Sequence, residues 1–255
     1  MTEHQDNWDA HWNEYADSAQ QNPAQRMRHE IIARLLKDNL DNGPIRLFDI
    51  GSGQGDMLAI LQPLFPTAQF LGVEFSKRGV DISRQKVPDA TFLNGDLLDA
   101  PRELKYYEGW ATDAVCSEVL EHVDDPAAFL RAASPYLADG ARLIVTVPGG
   151  PISAFDRHIG HRQHFNKVSI CRVLESAGFE VIRAYRAGFP FFNLYRLTVI
   201  ARGNRLIDDV RTEQGGAPSR LALAVMAAYR KLFHFNQTDS PFGWQIVAVV
   251  KKIGD

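Results

Sequence analysis

The chain has 255 residues, 45% hydrophobic and 23% charged, an ordinary composition for a globular protein with one large core. Its formal net charge of −3 argues against affinity resting on the phosphates of a long nucleic acid and favours a small-molecule or locally docked substrate. The opening MTEHQDNWDAHWNEYAD is polar and acidic without a continuous apolar stretch, neither a secretory signal nor a transit peptide, so a cytoplasmic location is expected.

Residues 1 to about 45 place Trp8, Trp12 and Tyr15 on one helical face and continue as the amphipathic HEIIARLL, which predicts an N-terminal helical cap. The aromatics read as a packing stripe, with a substrate lid as the alternative. From residue 46 short apolar runs alternate with amphipathic ones. Candidate strands are RLFDI (46–50), AQFLGVE (68–74), ATFLNG (90–95), ATDAVCS (111–117), RLIVTVP (142–148), FEVIRAY (179–185) and WQIVAVVKK (244–252). Between them lie candidate helices over 57–64, 126–137 and 167–177, the last capped by Asn166 and closed by Gly178. The two cysteines, Cys116 and Cys171, lack metal or redox spacing and read as buried thiols.

This alternation predicts an α/β fold: a Rossmann-like, doubly wound sheet of seven strands, binding ligands at the strands' carboxyl ends. The core would comprise 46–188 and 244–255. A helical insertion, 189–243, precedes the last strand and contains FPFFNLYRLTVIA and LALAVMAAYRKLF, both too short to cross a bilayer. It could cap the site, form a homodimer surface or make peripheral membrane contact.

DIGSGQGD, residues 49–56, follows the first strand and opens a helix. Glycines at 51, 53 and 55 let the backbone turn sharply and approach a ligand closely. The dinucleotide fingerprint needs its third glycine where Asp56 stands, which disfavours NAD or FAD and the oxidoreductases that use them.

An acidic residue, one intervening residue and GxGxG together resemble the class I S-adenosylmethionine-dependent methyltransferases. The resemblance covers roughly residues 26 to 186 and the terminal strand. It implies that Asp49, Gly51, Ser52, Gly53 and Gly55 cradle S-adenosylmethionine. Glu74 would accept hydrogen bonds from both ribose hydroxyls, a task suited to a group with two acceptor oxygens and no donor. Phe75 follows it. Asp96 would receive the adenine amino group beside the backbone N–H of Leu97. Ser117 would line the methionine end, and Arg28 would meet the cofactor carboxylate, with Arg26 an equal alternative by sequence.

The fourth strand runs into SEVLEHV, where Glu118, Glu121 and His122 share one face if a helix begins there. Downstream, FDRHIGHRQHF offers His158, His161 and His164. Carboxylates with imidazoles around an open position suit Mg, Mn, Zn or Fe(II). The E-x-x-E-H pattern resembles the ubiquinone-type O-methyltransferases and the small-RNA 2′-O-methyltransferases, in which such residues bind a divalent metal; His161 best matches the further histidine. Two other readings stay open: His122 or His161 as general base without metal, and a purely structural motif, since DDP (124–126) is itself a helix start. The resemblance implies methyl transfer to oxygen or nitrogen of a small acceptor. Phe189, Phe191, Phe192, Tyr195 and Phe233 hint at a hydrophobic or lipid-linked one. A non-catalytic cofactor-binding partner and an RNA methyltransferase are the alternatives, the latter disfavoured by scattered basic residues.

Overall fold

The structure is a computed structural model that describes residues 8, 9, 12, 22–38, 44–203 and 220–254. Seven strands form one sheet: β1 (Arg46–Ile50), β2 (Gln69–Glu74), β3 (Thr91–Asn94), β4 (Ala111–Ser117), β5 (Leu137–Pro148), β6 (Phe179–Ala187) and β7 (Gln245–Lys252), in the order β3-β2-β1-β4-β5-β7-β6. The strands from β3 to β5 pair in parallel, and β7 is antiparallel to both of its neighbours. Strand order reverses between β1 and β4, so their carboxyl ends diverge around the crevice where such sheets bind ligands.

The central strands are buried on both faces, which is why they read as continuous apolar runs. Their side chains alternate between two cores. Phe48, Cys116 and Val145 enter one; Leu47, Val115 and Ile144 enter the other. The flanking helices are α1 (Pro23–Lys37), α2 (Asp56–Leu61), α3 (Lys77–Lys86), α4 (Pro126–Ala133), α5 (Ala154–His158), α6 (Lys167–Ser176), α7 (Phe191–Arg202) and α8 (Arg220–Leu232). Leu58 of α2 is fully buried; truncation to Ala would cost about 2–5 kcal/mol.

Local chemistry sets the helix ends. Asn22 Oδ1 accepts the Ala24 N–H at 2.9 Å, and Pro23 begins α1 where no donor is needed. Asn166 caps α6 in a capping box, and Gly178 adopts φ 88° after its end. Two expected helices are shorter than the sequence suggests. The helix expected over 57–64 stops at Leu61 because Pro63 has no N–H to continue it. The one expected over 126–137 stops at Ala133, where Pro135 converts it to a short 3₁₀ turn, and β5 starts five residues early at Leu137.

Arg142 of β5 ties three elements together. Its Nε and Nη2 donate to Asp113 Oδ1 on β4 at 2.9 and 2.6 Å, and Nη1 donates to the Leu35 carbonyl of α1 at 2.9 Å. This holds α1 across the sheet. The helices of the 189–243 stretch close over α1: Phe192, Tyr229 and Phe233 form a buried cluster with Ala24, Met27, Ile31 and Val247. Tyr195 packs its ring edge against both Tyr229 and Phe233. Among the described residues no helix is long and apolar enough to cross a membrane. Cys116 is buried as expected, whereas Cys171 of α6, packed against the core, is only half-buried. Tyr15, expected in the aromatic stripe, lies outside the described residues.

Candidate active site

The β1 loop is shaped by its glycines. Gly51, Gly53 and Gly55 have φ of 73°, 55° and 76°, a region that costs other residues about 1–2 kcal/mol each. The amides of Gly51 and Ser52 both donate to the Val73 carbonyl at 2.9 and 3.0 Å, joining the loop to β2. A methyl group on Gly51 would come within 2.6 Å of Val119, so this surface admits only glycine. Gly55 then caps α2 in left-handed conformation.

Glu74 closes β2 beneath this loop. Its two carboxylate oxygens accept the Gly53 and Ser76 amides, each at 2.9 Å. Burial raises its pKa, while those amides and the Trp12 indole pull it back. Asn94 donates to the carbonyls of Glu74 and Phe75 at 3.0 and 2.8 Å and so clamps the β2 end to β3; the sequence reading did not single it out. Asp49 is buried, its Oδ2 has no partner, and burial together with the charge of Glu74 lifts its pKa to about 7.

Two cavities open along the carboxyl edge and share Trp8, Trp12, Gly51, Gly53, Glu118 and His122. One, of about 380 Å³, is lined by Glu74, Phe75, Asp96, Leu97, Leu98 and Val119. Asp96 uses one oxygen to cap the short turn after β3, accepting the Leu98 amide at 2.9 Å. The other, of about 280 Å³, holds Arg28, Asp49, Ser52, Ser117, Glu118, Glu121, His122 and His161. Trp8 and Trp12 therefore line the cleft instead of forming a packing stripe. The two candidate arginines separate here: Arg28 faces the cavity, 3.5 Å from Glu118, whereas Arg26 pairs with Glu30 on the exposed face of α1.

No helix begins at the end of β4, contrary to the condition on which Glu118, Glu121 and His122 would share a face. Glu118 sits at φ 56° in a turn. Its Oε1 accepts from Thr146 Oγ1 at 3.2 Å and Gln245 Nε2 at 2.9 Å, and its Oε2 faces Arg28. Ser117 Oγ completes this network 2.8 Å from Thr146 Oγ1. The helix starts later, at Pro126, with Asp125 as its cap.

Glu121 and His122 instead meet His161, their ligand atoms all within 4.8 Å of one another. Glu118 stands outside this triad. Both Glu121 oxygens are buried without a hydrogen bond from another residue, and burial followed by the charge of Glu118 pushes its pKa well above the usual carboxylate range. Burial, then His122, lowers the His161 pKa to about 2. His122 packs edge-on between Trp8 and His161, each ring 4.7 Å away. His158 is not in this group; His164 borders it, its Nε2 3.0 Å from His161 Nδ1, and forms a second cluster with Asp156 and His161.

Behind the histidines, Asp156 forms a forked pair with Arg196 of α7 at 2.9 and 2.6 Å. Burial raises this carboxyl, but Arg196 and Ser153 outweigh it and hold the pKa to about 2. Asp156, Arg196 and the role of His164 were missed by sequence; only the H-x-x-H spacing hinted at the last. Of the five aromatics expected near an acceptor, Phe192 and Tyr195 line the cavity, while Phe233 lies in the buried cluster, Phe191 packs against that cluster and Phe189 packs on Phe242.

A family model described as a methyltransferase domain matches residues 19–184, well over half of the chain. The chain is similar to the ubiquinone biosynthesis O-methyltransferase of Aeromonas salmonicida, with 24% identity over 187 residues, 67% of this chain and 78% of that one. It is also similar to the trans-aconitate 2-methyltransferase of Streptomyces coelicolor, 29% identical over 141 residues, 50% of this chain and 45% of that one. Among solved structures, a SAM-dependent methyltransferase of Thermotoga maritima, described as a possible histamine N-methyltransferase, superposes with a TM-score of 0.60 at 18% identity. It covers 96% of this chain and 97% of its own. The residues fit the cofactor these proteins use: a cradle that only glycine tolerates, an orphaned buried carboxylate at Asp49 suited to an ammonium group, and Glu74 with lone pairs beyond its two amides. The chain belongs to the class I S-adenosylmethionine-dependent methyltransferases.

Proposed function

We propose that this methyltransferase acts on a hydroxyl, or an amine, of a small hydrophobic or lipid-linked acceptor, with a divalent ion on Glu121, His122 and His161. The observation that carries this reading is Glu121: a carboxylate with both oxygens buried and orphaned is costly unless a cation arrives. Two imidazoles supply the remaining donors within 4.8 Å, a mixed N/O set suited to Zn, Mn or Fe(II).

When bound, S-adenosylmethionine supplies a methyl carbon on a positively charged sulfur that departs as a neutral thioether. The protein holds the reactants in line. Glycines 51 and 53, Asp49 and Glu74 would fix the donor, with Asp96, Leu97 and Phe75 at its adenine end, while Phe192, Tyr195, Trp244 and Phe155 wall the acceptor side. That wall favours an apolar or aromatic body and supports reading 189–243 as a cap. A divalent ion would lower the acceptor hydroxyl's pKa. Transfer would join the acceptor oxygen to that methyl carbon and leave the electron pair of the broken carbon–sulfur bond on sulfur. The hydroxyl proton passes to solvent while His161 holds the ion; without an ion, His161 would be the imidazole placed to receive it. Positioning supplies much of the acceleration.

The test combines calorimetry with labelled methyl transfer. Micromolar binding of S-adenosylmethionine and its demethylated product, none of NADH, and transfer of label into a cell extract are expected. Excess chelator and Glu121→Ala should each abolish transfer; unchanged turnover in both would remove the metal and leave His161 as base. Binding without any transfer would favour a non-catalytic partner.

A further inference from the structure

Three backbone bonds fix the segment His161–Phe165 between the end of β4 and the end of β5: His161 N–H to the Asp156 carbonyl at 2.9 Å, Arg162 N–H to the Glu121 carbonyl at 2.8 Å, and Phe165 N–H to the Pro148 carbonyl at 2.9 Å. Phe165 is buried in the core and anchors it. The two imidazoles of this segment are therefore held to one geometry. His164 Nδ1 lies 3.0 Å from the Gly150 carbonyl, and His164 Nε2 lies 3.0 Å from His161 Nδ1.

The carbonyl can only accept, so His164 must carry its proton on Nδ1. A neutral imidazole carries one ring proton, and the Gly150 carbonyl holds it on Nδ1, so the Nε2 of neutral His164 is a lone pair. Asp156 does not draw a proton to that nitrogen. Its Oδ2 is 3.9 Å away, and its oxygens already accept from Arg196 and the Ser153 amide. The lone pair on His164 must then accept from His161 Nδ1–H. A neutral His161 protonated on Nδ1 has a bare Nε2, and that atom lies 4.0 Å from Glu121 Oε1.

We propose that His164 is a positioning residue: it transmits the fixed polarity of the Gly150 carbonyl to His161, holding His161 in the Nδ1–H tautomer and presenting an unprotonated Nε2 to Glu121 and the cleft. A lone pair there is what both a metal ligand and a general base require. The relay itself follows from the hydrogen bonds; only the use made of Nε2 rests on the proposed function.

Long-range proton–nitrogen correlation on ¹⁵N-histidine-labelled protein near neutral pH reads the tautomer directly, with His161→Gln identifying the signals. The wild type should show His161 protonated on Nδ1. His164→Ala should release it to a mixture or to the Nε2–H form, and His164→Gln, whose side-chain carbonyl can accept from His161, should restore the native form. An Nε2–H signal for His161 in the wild type, or an unchanged tautomer in folded His164→Ala, overturns the relay. The wild-type spectrum decides even if the alanine variant fails to fold. Calorimetric zinc affinity should fall about 10- to 100-fold in His164→Ala and recover in His164→Gln, as for other outer-shell partners. A switched tautomer with unchanged zinc affinity and unchanged methyl transfer would uphold the relay and overturn the use assigned to His161 in the proposed function.

Discussion

The indole of Trp12 lies against Gly53 so closely that a methyl group on the glycine would come within 2.8 Å of its Cζ2. The same ring flanks Gly79 and bears on the Glu74 carboxylate. Asp9, three residues earlier, accepts the Arg78 amide at 3.0 Å and docks this segment at the start of α3. Trp12 thus stands where the ribose of the cofactor would meet Glu74. Cofactor and indole should compete. Trp12→Ala is expected to tighten S-adenosylmethionine binding about 3- to 10-fold, the factor set by how much of the protein holds the indole inward. Weaker binding in the variant, read by calorimetry, would make the ring a cover over the cofactor instead.

With Asp49 as the proposed partner of the cofactor ammonium, binding should depend on pH. Its carboxyl has a pKa of about 7 in the folded protein against an ordinary value of 3.8, because of burial and then Glu74. The folded state therefore keeps a proton that the unfolded chain gives up, and stability falls as pH rises from about 4 to 7. The cofactor ammonium needs the ionised form. Affinity for S-adenosylmethionine should rise between pH 6 and pH 8 in the wild type. Asp49→Asn should bind weakly with a flat profile and melt higher than wild type at pH 8. A parallel profile in both proteins would rule Asp49 out as the ammonium partner.

Arg196→Leu should destabilise the protein by about 3–5 kcal/mol, because it leaves the Asp156 carboxylate buried beside apolar atoms. Asp156 has its pKa held down to about 2, so the pair contributes fully above the unfolded value near 4 and fades as pH drops toward 2. Denaturant melts of the two proteins should converge in that window. A gap that persists at pH 2 would mean Arg196 acts through packing alone.

Glu121→Gln keeps the shape of the side chain and removes its charge. Burial and Glu118 push the Glu121 pKa well up, so in metal-free protein the ionised form costs stability that grows with rising pH. The glutamine variant should melt at a higher temperature than chelator-treated wild type at pH 8. It should also lose the stabilisation that added zinc or manganese gives the wild type. Equal stabilisation of both proteins by metal would place the ion elsewhere.

The glycine loop and the acids along the strand ends were legible because their signals are local. A left-handed loop between a strand and a helix demands glycine, and Gly51, Gly53 and Gly55 take positive φ. Glu74 and Asp96 stand at strand ends, where the alternation of apolar runs already located them. The acceptor half was legible only in its residue types. E-x-x-E-H suggested one helical face, but Thr146, Gln245 and Arg28, from three distant elements, draw Glu118 into a left-handed turn and out of the triad.

By itself the sequence determined the sheet, the glycine loop and the acids along it, since backbone conformation and two-faced burial are written into neighbouring residues. Only the tertiary structure decided that Arg28 and not Arg26 faces the cleft, that Trp12 lies on Gly53, and that His164 links Gly150 to His161. Those pairings join residues whose contact depends on how helices and loops pack across the carboxyl edge of the sheet, and no local periodicity encodes it.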